Sequence, residues 1–274
     1  MRIAMIQMPV TKDKEANLKY ACEKVREAAQ RGAELAVLPE MFQCPYTAEY
    51  FKRFAEEEGE HSWKTMSACA AENRIGLVAG SMPEACCGKI YNTAYVFDET
   101  GKQIGKHRKM HLFDIDIKGG QYFKESDTFT PGDDVTTFAF KGITFGLCIC
   151  FDFRFPELSR LMMLKGAQVT IVPAAFNMTT GPLHWETMFR QRAVDEQIFT
   201  VGVAPARDVD GVYVSYGNSI ACDPMGRILV RAEEKPCMLY VDLDMAEVGN
   251  TRQQLPLVIG RRTDLYMTKE IGKK

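Results

Sequence analysis

The segment FGLCICFDFRFPEL, residues 145–158, sets two cysteines two positions apart between an apolar run and a helix start. Cys150 stands where the apolar strand gives way to a loop, the end at which open α/β sheets present ligands. Asp152, Arg154 and Glu157 crowd behind it, followed by a helix N-terminus. Cationic groups and helix N-termini both favour thiolate over thiol, which makes Cys150 a candidate nucleophile. Side chains alternate along a strand, so Cys148 and Cys150 are expected on one side. Cys148, in mid-strand, reads as a small buried hydrophobe, the common state of a free cysteine.

A cysteine nucleophile needs a base. His61 and His184 lie in helical, polar settings, and His107 and His111 form an i, i+4 pair in KHRKMHLFD. That pair lacks the third ligand and adjacent glutamate of a metal site. No GxSxG, HExxH, P-loop or GxGxxG pattern is present, and a Cys–His pair stays open. Two other polar residues sit at strand ends: Glu40 closes the apolar ELAVLPE, and Lys109 lies in the basic run of GKHRKMHLFD, before the chain turns apolar again. Taken singly they read as a solvated strand edge or cap and a surface cation. Taken with Cys150 they form a set of base, cation and nucleophile.

These residues need strand ends to hold them, and the chain supplies many. RIAMIQM reads as a strand, KEANLKYACEKVREAAQRGA as an amphipathic helix with Leu18, Ala21, Cys22, Val25, Ala28 and Ala29 on one face, and ELAVLPE as a second strand. Helix HSWKTMSACAAENRI and strand GLVAGSMPE follow, then the hairpin NTAYVFDETGKQIGKHRK and a strand–turn–strand, TTFAFKGITFGLCIC. PELSRLMMLKG and LHWETMFRQRAVDEQ read as helices around the strand AQVTIVPAAF, and FTVGVAPA, YGNSIACDPMGRILVRA and CMLYVDLD as strands before a last helix, MAEVGNTRQQL. The alternation predicts sheets packed on each other with helices outside. No Ser/Gly/Pro-rich linker divides the 274 residues, so one domain spanning 1–274 is expected, with a polar C-terminal arm from about residue 255.

Composition narrows the partners. Net charge is −2, from 34 basic and 36 acidic residues without a basic stripe, which argues against nucleic acid and anionic membrane. Nine cysteines without metal-like spacing point to a reducing compartment rather than a disulfide framework; the adjacent Cys86 and Cys87 read as free thiols. MRIAMIQMPV is too short for a secretory signal, and no apolar run approaches the roughly 20 residues of a membrane span. A cytoplasmic protein is expected.

LPEMF, HRKMHLFD and GLCICFDFRFPEL together resemble the signatures of the nitrilase, or carbon–nitrogen hydrolase, superfamily. Its catalytic glutamate, lysine and cysteine match Glu40, Lys109 and Cys150, in that order. KHRKMHLFDID, ESDTFTPGD, PAAFNMTTGPLHWE, APARD, NSIACDPMG and the late RQQLP and RRTDLY are similar to the omega-amidase branch. Cys148 is a departure, since relatives usually carry glycine there. The resemblance, which covers essentially the whole chain, implies a four-layer αββα sandwich, a homodimer joined face to face, and no metal or organic cofactor. It implies that Glu40 takes the thiol proton, passes it to departing ammonia and then activates water on a thioester. Lys109, with a backbone N–H such as that of Phe151, would stabilise the tetrahedral intermediate.

The resemblance also suggests pocket residues. Glu125, in YFKESDTFTPGD, matches a second glutamate near the lysine, with a solvated loop acid as the other reading. Arg154, four residues after Cys150, could fork onto a substrate carboxylate or pair internally with Asp152 or Glu157. The branch's substrates are terminal amides of α-keto dicarboxylic acids, 2-oxoglutaramate and 2-oxosuccinamate. Tyr46, Phe176, Thr179 and Thr180 match its pocket positions; core packing for the aromatics and helix capping for the threonines are the alternatives. N-carbamyl compounds, deaminated glutathione or simple amides as substrates, a Cys–His glutaminase, and an inactive binding module on the same fold are the rival readings.

Overall fold

The computed structural model describes residues 1–116 and 122–271. Strand β1 (Arg2–Gln7), helix α1 (Lys14–Gln30) and strand β2 (Leu35–Val37) open the chain; α2 (Ala48–Phe54), α3 (His61–Asn73), β3 (Gly76–Cys86), β4 (Lys89–Phe97) and β5 (Gln103–Arg108) follow. A short pair, β6 (Asp114–Asp116) and β7 (Tyr122–Lys124), leads to β8 (Thr136–Phe140), β9 (Ile143–Leu147), α4 (Pro156–Leu164), β10 (Val169–Pro173) and α5 (Gly181–Glu196). The chain continues through β11 (Phe199–Val203), β12 (Ile220–Cys222), β13 (Ile228–Arg231), β14 (Cys237–Asp242) and α6 (Ala246–Gln254).

Two six-stranded sheets result, ordered β14-β1-β2-β3-β4-β5 and β13-β12-β11-β10-β9-β8. Each has three parallel strands at its centre and antiparallel strands outside them. The period of two along each strand assigns its faces. Ile3 and Met5 of β1 join Phe145, Leu147, Ile171 and Val201 in the core between the sheets. Ala4 and Ile6 turn the other way, onto Leu18, Ala21, Val25 and Ala28 of α1 and Met66 and Ala70 of α3. On the second sheet glycines let the helices lie close: a Cβ on Gly146 would meet the α4 residue Met162 at 2.9 Å, and one on Gly202 would meet the α5 residue Phe189 at 2.2 Å. This is the expected four-layer αββα arrangement. Among the described residues no helix is long and apolar enough to cross a membrane. All nine cysteines are unbridged, and the Sγ atoms of Cys86 and Cys87 lie 3.6 Å apart.

One local expectation needs correction, and two elements were not foreseen. Strand β9 stops at Leu147, so Cys148 is buried beyond its end rather than in mid-strand, and the alternation that would align it with Cys150 has lapsed. Cys150 instead opens a 3-10 turn, Cys150–Arg154, at φ +48°. Helix α2 was not legible, because seven residues with one buried member, Phe51, carry no period. The β6–β7 pair was missed as well; its connection falls outside the described residues. From Leu255 to Ile271 the chain has no helix or strand.

Candidate active site

Glu40 lies just past β2, where Pro39 ends the strand. The turn is tight: Met41 takes φ +52°, and Gly80 on β3 backs it, since a Cβ there would sit 2.0 Å from the Pro39 carbonyl. That places the Glu40 carboxylate fully inside the protein. Its Oε1 accepts from Lys109 Nζ at 3.0 Å, Asn92 Nδ2 at 2.9 Å and the Tyr46 hydroxyl at 3.0 Å; its Oε2 accepts from the Ala175 N–H at 2.7 Å. The bland reading of Glu40 as a solvated edge is excluded.

Lys109 follows β5 and is equally buried. Besides Glu40, its ammonium donates to Glu125 at 2.9 Å and to the Tyr46 hydroxyl at 3.3 Å. Burial alone would lower its pKa, but the carboxylates of Glu125 and Glu40 outweigh burial and hold it well above the usual lysine range. Glu125 is buried, not a loop acid in solvent. Its Oε1 also receives the Tyr46 hydroxyl, and its Oε2 accepts the Phe113 N–H at 2.5 Å. Burial raises its pKa, with Lys109 pulling down and Glu40 pushing up. Cys150 completes the cluster: it is buried at the start of the 3-10 turn and lies in the electrostatic field of both Glu40 and Lys109. Burial first, and then the Glu40 charge, push this thiol far above the ordinary range, with Lys109 opposing. At rest Cys150 is therefore a neutral thiol beside Glu40, the state in which Glu40 would have a proton to take.

Asp152 was noticed in the sequence only as a nearby charge, yet it joins the two loops of the site. Its carboxylate accepts from the backbone N–H groups of Met110 (3.1 Å), His111 (2.8 Å) and Ile149 (3.1 Å), and from His107 Nε2 (2.9 Å) and His111 Nδ1 (2.8 Å). The stretch after Lys109 is thus tied to the turn that carries Cys150. Burial works against its ionisation, but the two histidines prevail and keep its pKa well below the usual carboxylate range. The sequence did hold a signal, an aspartate at the third position of a turn, which caps the preceding N–H groups. The histidines thus serve Asp152; no hydrogen bond joins either to Cys150 among the described residues. An unfolded aspartate titrates near ~3.9. Below that pH and above the lower folded value the unfolded chain binds the extra proton, so Asp152 stabilises the fold above ~4 and ceases to as pH falls through the folded value. Acid unfolding followed by circular dichroism is expected to show a shallower acid limb for Asp152→Asn, with lower stability at neutral pH.

A narrow cleft opens at Cys150, walled by Phe113, Phe151, Arg154, Phe176, Thr180 and Tyr213. Arg154 forms no ion pair with Asp152 or Glu157 among the described residues; it donates to His184 Nδ1 at 3.0 Å and lies 4.6 Å from the Phe176 ring centroid. Phe151 is packed edge-on against Phe113 at 5.3 Å. Tyr46 stands behind the cluster, 4.6 Å from Tyr213. Thr179 is a correction: its side chain is exposed and does not line the cleft. Asn177 organises that turn instead, its Oδ1 accepting the N–H of Thr179 at 3.1 Å and of Thr180 at 2.9 Å. Neither threonine caps α5 by a side-chain bond. Sequence reading missed Asn177 and Tyr213 as cleft residues, because each lies in irregular chain and meets Cys150 only through the fold.

Comparison with known proteins fits this geometry. The carbon–nitrogen hydrolase family matches residues 2–253. A hydrolase of Schizosaccharomyces pombe is 46% identical over 97% of this chain and 83% of its own length. The omega-amidase of Mus musculus is 44% identical over 97% of this chain and 96% of its own. Among solved structures, Nit3 of Saccharomyces cerevisiae, a member of branch 10 of the nitrilase superfamily, superimposes with a TM-score of 0.88 at 39% identity, covering 96% of each chain.

Proposed function

This chain belongs to the carbon–nitrogen hydrolase family, and we propose that it acts as an omega-amidase, removing the terminal amide of a short α-keto dicarboxylic acid as ammonia. The observation that carries the reading is the buried Glu40–Lys109–Cys150 cluster opening on a cleft walled by Arg154.

Glu40 accepts the thiol proton as Cys150 Sγ attacks the amide carbon. The carbonyl oxygen becomes negative, and the Lys109 ammonium lies in the same cluster to stabilise it, together with the Phe151 N–H at the start of the 3-10 turn. Collapse breaks the C–N bond while Glu40 returns its proton to the leaving nitrogen, giving ammonia and a thioester. Water then attacks the thioester, Glu40 takes its proton, and the acid leaves as the proton returns to Cys150. Glu125 is a second carboxylate on Lys109 and keeps its ammonium charged; Tyr46 bridges the two glutamates. Every proton in this cycle is held by the chain's own residues.

Arg154 offers donors on the cleft wall to the substrate's own carboxylate, which supports a dicarboxylic monoamide over a neutral amide. Its present partner, a ring nitrogen of His184, carries no negative charge and is a weaker acceptor than a carboxylate. Arg154→Ala is expected to weaken keto-dicarboxylic amides by about 1.5–3 kcal/mol, the worth of a charged hydrogen bond, read as a higher KM. An equal loss on a neutral amide would remove this role from Arg154. The test of the whole reading is ammonia release from 2-oxoglutaramate beside a neutral amide, an N-carbamyl amine and glutamine. Preference for the keto-acid amide supports it; Cys150-dependent turnover of another panel member alone would keep the chemistry and discard the pocket.

Unbridged cysteines support a reducing, cytoplasmic setting. Exposed Leu265, Tyr266 and Met267 in the C-terminal arm support a homodimer in which a second copy covers them, to be measured by sedimentation.

A further inference from the structure

A second space of about 270 Å³ borders the cluster, with Glu40 and Tyr46 among its lining residues. Val10, Cys44, Pro45, Tyr50 and Ala206 give it largely apolar walls. Among the described residues, Tyr213 and Ala175 alone line both this cavity and the cleft at Cys150. Ala175 contributes only a methyl group, and its backbone is committed to Glu40 and to Tyr213. The partition is therefore the Tyr213 ring.

That ring is fixed from three sides. Its hydroxyl donates to the Ala175 carbonyl, its face lies 4.6 Å from Tyr46 at 31°, and Phe123 meets it at 6.1 Å and 63°. The segment carrying it, between β11 and β12, is tied to the cleft by a bridge between Asn177 and Ser215. A ring held in this way is a wall and not a side chain that yields to a longer ligand.

We propose that Tyr213 determines acyl-chain length: it ends the cleft at Cys150 and shuts longer apolar acyl groups out of the chamber behind it. This rests on the reading that the cleft receives the acyl part of the substrate. With the ring removed, cleft and chamber become continuous, and the apolar walls accept a chain several methylenes longer. Each methylene buried there is worth about fourfold in affinity.

The experiment uses p-nitrophenyl esters with acyl chains of increasing length, which report acylation of Cys150 whatever the natural amide proves to be. Nitrophenolate release, absent in Cys150→Ala, is compared across Tyr213→Phe, Tyr213→Leu, Tyr213→Ala and Tyr213→Ala/Ala206→Leu, with melting temperature as the check on folding. In the wild type and Tyr213→Phe the rate falls sharply beyond a short chain. In Tyr213→Ala the long-to-short ratio rises at least tenfold, in Tyr213→Leu by less, and Ala206→Leu, which refills the chamber, cancels the gain. Should Tyr213→Ala fail to fold, Tyr213→Leu carries the same comparison. An unchanged ratio in the folded Ala or Leu variant overturns the proposal, as does an equal rise in Tyr213→Phe. Failure to hydrolyse 2-oxoglutaramate leaves this ratio untouched, so the substrate assignment and the wall fail separately.

Discussion

Cys150→Ala is expected to lower kcat for amide hydrolysis by about five to six orders of magnitude, the scale of loss when a covalent hydrolase loses its nucleophile. Nothing else in the cluster can replace it. Glu40 and Glu125 are committed to Lys109, and His107 and His111 to Asp152. Stability should change little, since the substitution removes one buried sulfur and keeps the backbone at φ +48°. Cys150→Ser is expected to be nearly as inactive, because a hydroxyl yields its proton to a carboxylate far less readily than a thiol does. Steady-state ammonia release and a melting curve on both variants check these outcomes together.

Lys109→Met should damage both activity and stability, and the two losses can be separated. The ammonium is fully buried between two carboxylates, at 3.0 Å from Glu40 and 2.9 Å from Glu125. Removing one partner of such a group leaves uncompensated buried charge, at a cost of about 3–5 kcal/mol. The activity loss should be at least about a hundredfold to a thousandfold, the effect of losing one stabilising donor for the oxyanion. A second substitution, Glu125→Gln, removes the surplus charge, so Lys109→Met/Glu125→Gln should recover much of the stability and none of the activity. Recovery of both would make Lys109 a purely structural residue. The sign with pH follows from its raised pKa. The stabilisation is fully present below the unfolded lysine value of ~10.4 and is lost as pH rises through the higher folded one. Stability of the wild type should accordingly fall as pH rises above about 10.4, and the double variant should lack that contribution to the alkaline limb.

Much of this architecture could be read from the chain because its elements are periodic. The α1 stripe of Leu18, Ala21, Val25 and Ala28 and the alternation in β1 each identify a face without knowledge of the fold. Glu40 and Cys150 drew notice because each follows an apolar strand, whereas Lys109 follows the polar strand Gln103–Arg108 and joined the candidate set only beside the other two and through the family resemblance. What escaped were features created by three-dimensional closure. Four of the five bonds to Asp152 come from a segment about 40 residues away, and no local pattern announces them. Tyr213 lies in irregular chain, 63 positions from Cys150, and gains its role only by standing between two cavities. Thr179 was misplaced because the sequence shows two adjacent threonines but not that Asn177 would turn one of them outward. How strongly burial holds the Cys150 thiol protonated could not be read either: the sequence displays the nearby cations, whereas depth of burial belongs to the fold.

The most direct test of the thioester account is rapid acid quenching of the enzyme with 2-oxoglutaramate, followed by intact-mass and peptide analysis. The account predicts one 2-oxoglutaryl group on the peptide containing Cys150, appearing together with the first equivalent of ammonia and absent from Cys150→Ala. Ammonia released at an undiminished rate by Cys150→Ala, or an acyl group carried by any other residue, would contradict it.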